Sequence, residues 1–117
     1  MVKHISIVKR RNDISRDEFR DYWINVHSEI VKSCLPSLKK YVANFPMAAN
    51  EGQKMPGSGQ EIACDAIVEL HFDSVSDLLA DMSAEGWLSE KRKLSSAKLI
   101  DLSWHQFVVA EEYIALS

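Results

Sequence analysis

The strongest constraint on how this chain folds is the alternation of apolar and polar residues in two separate stretches. Residues 3–9, KHISIVK, and residues 64–72, CDAIVELHF, both alternate with a period of two. This period is typical of β-strands that bury one face. In the second stretch the apolar face is formed by Ala66, Val68, Leu70 and Phe72. We therefore expect a sheet with one covered face.

A long helix is predicted between these two strands. Ser15 and Glu18 have the spacing of a capping box, in which each side chain binds the backbone N–H of the other residue. The helix is therefore expected to begin at about Arg16, and it should end before Pro36, which cannot continue it. Its apolar positions recur at intervals of three and four residues: Phe19, Tyr22, Trp23, Val26, Ile30 and Val31.

The remaining elements complete a β-α-β-β-α-β order. Residues 38–45 are rich in β-branched and aromatic side chains and predict a second strand, and a long loop follows over 46–60. The sequence SVSD at 74–77 marks a second helix start, an amphipathic piece follows over 87–94, and 104–113 predict the last strand. This order is typical of the α+β, ferredoxin-like fold, in which two helices cover one face of a four-stranded antiparallel sheet.

Length and composition narrow the protein class. A chain of 117 residues has room for one domain, so we expect a single domain over 1–117. The net charge is -3, and the one basic cluster, KRR at 9–11, lacks an aromatic platform, which argues against nucleic acid as a partner. No segment approaches the roughly 18 apolar residues of a membrane-spanning helix. A cytoplasmic protein without a membrane partner is expected.

The uncovered face of the predicted sheet also needs a partner. Ile67 and the aliphatic residues of the last strand are too apolar to remain in water. We expect two sheets to meet face to face in a homodimer.

His27 interrupts the apolar stripe of the first helix. On a helical wheel of about 100° per residue, the stripe is centred near Phe19, Val26 and Ile30, and His27 lies on a flank beside Val31. We expect His27 at the edge of the core, lining a cleft between helix and sheet. Partial burial there lowers the pKa of an imidazole toward or below neutrality, and the neutral ring can accept a proton. A purely structural hydrogen bond from the ring fits the same position.

The segment SRDEFRDYWINVHSEIVKSCLPSLKKYVAN resembles the opening of the EthD family, part of the dimeric α+β barrel superfamily. Members carry a tyrosine-tryptophan pair, a histidine four residues after the tryptophan, a leucine-proline turn, and a tyrosine-valine pair followed by asparagine. These motifs fall on Tyr22, Trp23, His27, Leu35, Pro36, Tyr41, Val42 and Asn44. CDAIVELHFDSVSDLLADM and LIDLSWHQFVVAEE resemble later parts of the family, including its aspartate-bearing segment. Ser37 stands where the family usually has glycine.

The resemblance implies a function as well as a fold. The family is named after a protein associated with bacterial breakdown of ethyl tert-butyl ether, and its relatives include cofactor-free lyases of aromatic polyketides and, more distantly, lactone isomerases. For this chain it implies a cofactor-independent lyase, dehydratase or isomerase of a small aromatic, polyketide-like or lactone substrate, with His27 as the acid-base residue. Two alternatives stay open: a non-catalytic binding or accessory protein for an oxygenase system, and a cofactor-free mono-oxygenase.

Other side chains are candidates for the same site. Asp101 and Tyr22 would orient His27 or act as a second acid-base group, although an aspartate before a strand often binds only local backbone N–H groups. Trp23, Tyr41 and Val31 would wall the substrate pocket, although such residues are often simply core.

No cofactor or metal is expected. His4, Glu69, His71 and His105 all fall on predicted strands, but no local motif brings three ligands together. The chain contains neither a glycine-rich phosphate loop nor a nucleophile elbow.

Overall fold

A four-stranded antiparallel sheet forms the centre of the computed structural model, which describes residues 1–47 and 64–117. Neighbouring strands follow the spatial order β2-β3-β1-β4, and all three pairs are antiparallel. With helices in both crossovers, this is the predicted ferredoxin-like α+β arrangement. The strands are β1 (Val2–Val8), β2 (Lys40–Asn44), β3 (Ala66–Phe72) and β4 (Gln106–Glu111).

The strands occur where the sequence patterns predict them, with shorter ends. The last strand is predicted over 104–113 but pairs only from Gln106 to Glu111, because Trp104 belongs to a turn whose N–H binds the carbonyl of Asp101. Most of the predicted loop over 46–60 lies outside the described residues.

One continuous helical segment connects β1 to β2. It comprises α1 (Arg16–Tyr22), a π-helical turn (Trp23–His27) and α2 (Ser28–Cys34). The capping box is present: the Ser15 hydroxyl accepts from the N–H of Glu18 at 3.1 Å, and the Glu18 carboxylate accepts from the N–H of Ser15 at 3.1 Å. The start at residue 16 and the end before residue 36 are both confirmed.

The π turn decides which residues of this segment face the sheet. Phe19, Trp23, His27 and Val31, each four residues apart, are all buried. Val26, placed near the centre of the stripe by a regular wheel, is 39% exposed, whereas His27, expected at the edge of the core, is only 3% exposed. The wheel prediction was wrong because the π turn contains an extra residue, so that every fourth residue stays on the same side.

Two shorter helices occupy the second crossover. They are α3 (Val75–Met82), capped by Ser74 as predicted, and α4 (Glu90–Leu99), capped by Ser89. The amphipathic helix predicted over 87–94 therefore starts three residues later than expected, because Ser89 caps α4. No helix among the described residues is both long and apolar enough to cross a membrane.

The helices cover an unusually polar part of the sheet. On β3 the buried face is the predicted one, with Ala66, Val68, Leu70 and Phe72. On β1, however, the buried residues are His4, Ser6 and Val8, and Ile5 and Ile7 face away. Two imidazoles, from His4 and His27, are thus brought into the layer between helices and sheet.

The core consists of two separate clusters. The first surrounds Phe19 and includes Val8, Trp23 and Val68; the second surrounds Phe72 and includes Val31, Leu35 and Leu70. Tyr41 packs against both clusters. The space between them is where an internal cavity forms.

Candidate functional site

A cavity of about 120 Å³ lies between the helical layer and the sheet. Its apolar walls come from both core clusters, which explains why the core is divided at this place. Its polar and aromatic wall is formed by His4, Trp23, His27, Tyr41, Arg92 and His105, among others. Among residues 1–47 and 64–117, no aspartate or glutamate lines this cavity.

His27 enters this cavity from the π turn. Its Nδ1 lies 2.8 Å from the hydroxyl oxygen of Ser95 on α4, and both side chains are buried. The edge of the Trp23 ring packs against the imidazole, with ring centroids 4.7 Å apart. Among the described residues no hydrogen-bond partner of Nε2 is found, so Nε2 is the nitrogen that remains available to a ligand.

Ser95 connects His27 to Tyr22. Its hydroxyl oxygen lies 3.3 Å from the Tyr22 hydroxyl as well as 2.8 Å from the imidazole. A hydroxyl can donate to one neighbour while it accepts from the other. The three side chains therefore form a short hydrogen-bonded chain that holds the orientation of the histidine.

Burial keeps the imidazoles of the cavity neutral. Desolvation, together with the smaller effect of the positive charge of Arg92, lowers the pKa of His27 to about 4. Burial also lowers the pKa of His4, with a smaller effect of His105, and it lowers the pKa of His105 itself. At neutral pH each of these rings is an uncharged donor and acceptor.

Tyr41 and Trp23 add two neutral donors to the wall. Burial raises the pKa of the Tyr41 phenol, which therefore keeps its proton at any physiological pH, and the neighbouring Trp23 indole opposes this only in part. The Trp23 N–H is buried without an acceptor of good hydrogen-bond geometry. An unsatisfied buried donor beside a cavity is a natural contact for a polar atom of a ligand.

The charged end of the cavity is formed by Arg92. Its Nε donates to the carbonyl of Trp87 at 2.7 Å, and its guanidinium lies over the Trp87 ring at 4.1 Å from the centroid. Its Nη1 donates to the hydroxyl of Ser96 at 3.4 Å. The position of the guanidinium is therefore determined by contacts on two sides.

The structure brings together four of the six side chains named from the sequence. His27, Trp23, Tyr41 and Val31 line the same cavity. Tyr22 is not a lining residue and reaches His27 only through Ser95, so it is placed to position the histidine rather than to contact a ligand.

Asp101 is separate from the site, and the expectation that it orients His27 is wrong for this structure. Its carboxylate accepts from the backbone N–H of Ser103 at 3.1 Å and from its hydroxyl at 2.5 Å. These bonds, chiefly the one from the hydroxyl, lower the pKa of Asp101. The local turn alternative is the correct one, because the chain folds back on itself directly after Asp101.

The four strand residues considered as metal ligands divide between the two faces of the sheet. His4 and His105 line the cavity, whereas Glu69 and His71 lie on β3 with Glu69 directly opposite Ile5, on the face away from the helices. Among residues 1–47 and 64–117, no group of three or more His, Cys, Asp or Glu side chains is placed to hold a metal ion.

Sequence reasoning missed the contribution of α4. Arg92, Ser95 and Ser96 were not singled out, because polar residues on an amphipathic helix usually face solvent. The available signal was spacing: Ser95 and Ser96 lie three and four positions after Arg92, and four and three positions before Leu99, which is buried.

Comparison with known proteins gives a family match and several structural neighbours. Residues 11–103 match the family model described as the EthD domain. No curated protein matches the sequence at a significant level.

Three solved structures illustrate the fold similarity. An EthD family protein from Bacillus halodurans C-125 is 18% identical with a TM-score of 0.68, covering 97% of this chain and 99% of its own. A hydroxynitrile lyase from Passiflora edulis is 14% identical with a TM-score of 0.68, covering 99% and 96%. A dimeric ferredoxin-like protein from Bacteroides fragilis is 18% identical with a TM-score of 0.61, covering 95% of both chains. At such low sequence identities, the structural similarity shows a shared fold and nothing more.

Proposed function

This chain belongs to the EthD family, and we propose that it is a small cofactor-independent enzyme in which His27 moves a proton on a small aromatic, polyketide-like or lactone substrate. A lyase, dehydratase or isomerase step requires a proton to be removed from one atom and returned to another. Positioned acid-base groups typically contribute about 10² to 10⁴-fold in rate.

The observation that carries this proposal is the arrangement of the His27 ring. Its Nδ1 is held by buried Ser95, and its Nε2 has no hydrogen-bond partner within the described part of the chain and faces the cavity. When Nε2 accepts a proton from the substrate, Nδ1–H donates to Ser95 and the Ser95 hydroxyl donates to Tyr22. The imidazolium is thereby stabilised in place until it returns the proton.

The size of the cavity favours the smaller substrates. A dry protein cavity of roughly 150 Å³ binds benzene, and the volume here is about 120 Å³. One aromatic ring or a small lactone fits this volume, whereas a multi-ring polyketide requires the cavity to open. The hydroxynitrile lyase with the same fold is a precedent for lyase chemistry on this scaffold.

The first experiment is a thermal-shift screen of wild type and His27→Leu against phenols, anthraquinone-like polyketides, lactones and aromatic cyanohydrins, followed by turnover assays of the compounds that bind. A ligand at a hundredfold excess over its dissociation constant stabilises by about 2.7 kcal/mol. We expect single-ring compounds to raise the wild-type midpoint and to be turned over, and His27→Leu to lose turnover while folded.

His71→Gln is the matched control for this experiment. It removes an imidazole from the opposite face of the sheet, so we expect it to retain turnover. If folded His27→Leu turns over a substrate at the wild-type rate, the role assigned to His27 is wrong.

A non-catalytic binding protein for an oxygenase system is the second candidate. It is favoured by one observation: no carboxylate belongs to the described part of the cavity wall, and Asp101 lies elsewhere. This alternative predicts ligand affinity without turnover and a modest change of affinity in His27→Leu. Oxygen uptake with a phenol would instead identify a cofactor-free mono-oxygenase.

We further propose that the protein is a homodimer that pairs its sheets through the open face, which we define as Ile5, Ile7, Val42, Ile67 and Val108. Residues directly opposite each other in a sheet share a face, and the strand register places all five on the side away from the helices. Glu69 lies in the same row of this face, between Ile5 and Val42, and Lys3 pairs with it at 3.0 Å. Lys3 also pairs with Glu112 at 2.9 Å. A protein interface can include a charge of this kind because the charge has its own partner. A cytoplasmic location and one domain over 1–117 remain predictions from the sequence.

A further inference from the structure

Arg92 is a cation without a counter-charge in the cavity wall. Within the described part of the chain it forms no ion pair, and no aspartate or glutamate lines the cavity. The other titratable lining groups are His4, His27, His105 and Tyr41, which burial keeps neutral. The cavity therefore carries a net positive charge when it is empty.

The contacts of Arg92 leave part of its guanidinium free to bind a ligand. Nε is occupied by the Trp87 carbonyl at 2.7 Å and one hydrogen of Nη1 by Ser96 at 3.4 Å. Among the described residues no acceptor is found for Nη2. The end of the guanidinium, with one hydrogen on Nη1 and two on Nη2, is thus available for a planar acceptor.

The Trp87 ring restrains the position of this guanidinium. The carbon atom at its centre lies 4.1 Å from the ring centroid, within the range of a cation–π contact. A guanidinium held in this way loses little conformational freedom when it binds a second group, and its paired N–H donors match the two oxygens of a carboxylate. Neutral walls of low polarity increase the strength of such a contact.

We propose that Arg92 is an anion anchor, and that the natural ligand is a single-ring compound whose carboxylate binds Arg92 while its ring occupies the apolar part of the cavity. The inference rests on the proposed function in taking this cavity as the ligand site, and it adds the charge and size class of the ligand. A ligand of this kind neutralises the guanidinium of Arg92 and binds its free donors.

Binding of an anion at Arg92 has a consequence for His27. The positive charge of Arg92 is the second cause of the low pKa of His27, after burial. A carboxylate beside Arg92 offsets this charge, so the pKa of His27 rises toward the range in which an imidazole is an effective base. The anchor would then couple substrate binding to activation of the proton acceptor.

The test compares benzoate with benzamide, which have the same shape and differ in charge, by isothermal titration calorimetry of the full chain at low ionic strength. We expect the wild type to bind benzoate about tenfold or more tightly than benzamide, since hydrogen bonds to a charged group are the stronger class. Arg92→Gln should abolish this preference. Lys93→Gln, which removes the same charge from an exposed neighbouring position, should retain it.

Each outcome supports or overturns the anchor. A preference for benzoate that Arg92→Gln removes and Lys93→Gln keeps supports it. Equal binding of the two compounds by wild type, binding of neither, or a preference that survives in Arg92→Gln overturns it. If Arg92→Gln does not fold, Arg92→Lys takes its place, because lysine keeps the charge without the paired donors and should weaken the preference.

The same data separate this inference from the enzymatic proposal. Selective benzoate binding through Arg92 with no turnover of any compound leaves the anchor in place and contradicts the enzyme. The opposite result is His27-dependent turnover of neutral lactones by a protein that does not prefer benzoate. That result supports the enzymatic proposal and contradicts the proposed role of Arg92.

Discussion

At the scale of single residues, the main feature of this protein is a histidine whose protonation state is coupled to folding. His27 is buried, its pKa lies at about 4 and its ordinary value is 6.5. Between these two values the unfolded chain binds a proton that the folded chain does not. The free energy of unfolding therefore decreases as the pH falls through this window, and above it His27 contributes no pH dependence.

We expect His27→Gln to reduce the acid sensitivity of the fold. One histidine contributes a slope of up to about 1.4 kcal/mol per pH unit, so the wild type should lose more stability than the variant between pH 7 and pH 4.5. Urea denaturation at several pH values measures the difference. His4 and His105 have pKa shifts of the same sign and are present in both proteins, so they cancel. Parallel pH profiles for the two proteins would contradict the low pKa of His27.

Ser37 is a second residue whose role depends on a distant partner. It occupies the place where the family usually has glycine, and its hydroxyl donates to the Asp81 carboxylate at 3.1 Å while its N–H donates to the same group at 2.8 Å. Asp81 is buried in α3. The serine thus attaches the turn after Pro36 to α3.

We expect Ser37→Gly to lower the free energy of unfolding by about 1 kcal/mol, because it removes one hydrogen bond to a buried carboxylate and makes the unfolded chain more flexible. Asp81→Ala should cost more, about 2 to 3 kcal/mol, since it leaves the N–H of Ser37 without its acceptor. Chemical denaturation measures both values. Ser37→Gly with wild-type stability would show that the glycine of the family is equally suitable here.

At the scale of elements, the π turn determines the site. It allows Phe19, Trp23, His27 and Val31 to face the sheet at a constant spacing of four residues. A regular α-helix would progressively rotate such a row away from the sheet, because it has 3.6 residues per turn. The turn therefore keeps His27 against Ser95 while both ends of the helical segment remain packed.

The effect of the π turn on packing is tested by a pair of valines. Val31→Ala should cost about 1 to 2 kcal/mol because it removes buried methyl groups. Val26→Ala should change stability by less than about 0.5 kcal/mol, since Val26 is 39% exposed and alanine is the better helix former. Thermal and urea unfolding of both variants provide the measurement. A larger loss of stability for Val26→Ala than for Val31→Ala would contradict the π turn and favour a regular α-helix.

At the scale of the whole molecule, the two faces of the sheet differ in what covers them. The covered face contains the cavity, and the open face carries aliphatic residues with no cover from the chain itself among the described elements. Val108 of this face is 58% exposed and lies opposite Ile5. Ile5, Ile7, Val42 and Ile67 are half-buried. Aliphatic residues that remain partly exposed on one face of a sheet favour an interaction site there.

We expect multi-angle light scattering at micromolar concentration to give twice the mass of one chain. Val108→Lys should give a folded monomer, because Val108 belongs to the paired face and a lysine there is left buried without a partner. Val75→Lys is the control: Val75 is 48% exposed but belongs to α3, in the other layer. A monomeric wild type would remove the homodimer proposal.

The order of the elements, the capping box at Ser15 and the buried face of β3 follow from the sequence alone, because each depends on residues within a few positions of one another. The family motifs also predict that His27, Trp23 and Tyr41 lie near one another, and all three line the same cavity. Local patterns of this kind survive folding unchanged, since they arise from backbone geometry and from the burial of one face.

The tertiary structure decided everything that depends on contacts between distant segments. His27 meets Ser95 68 positions away, and Arg92 takes its place in the cavity wall only because α4 packs across the helical segment. Asp101 turns back to Ser103 instead of reaching the histidine. The extra residue of the π turn determines that His27, and not Val26, is buried against the sheet. Such contacts are selected by the packing of complete side chains in three dimensions, which no period along the sequence records.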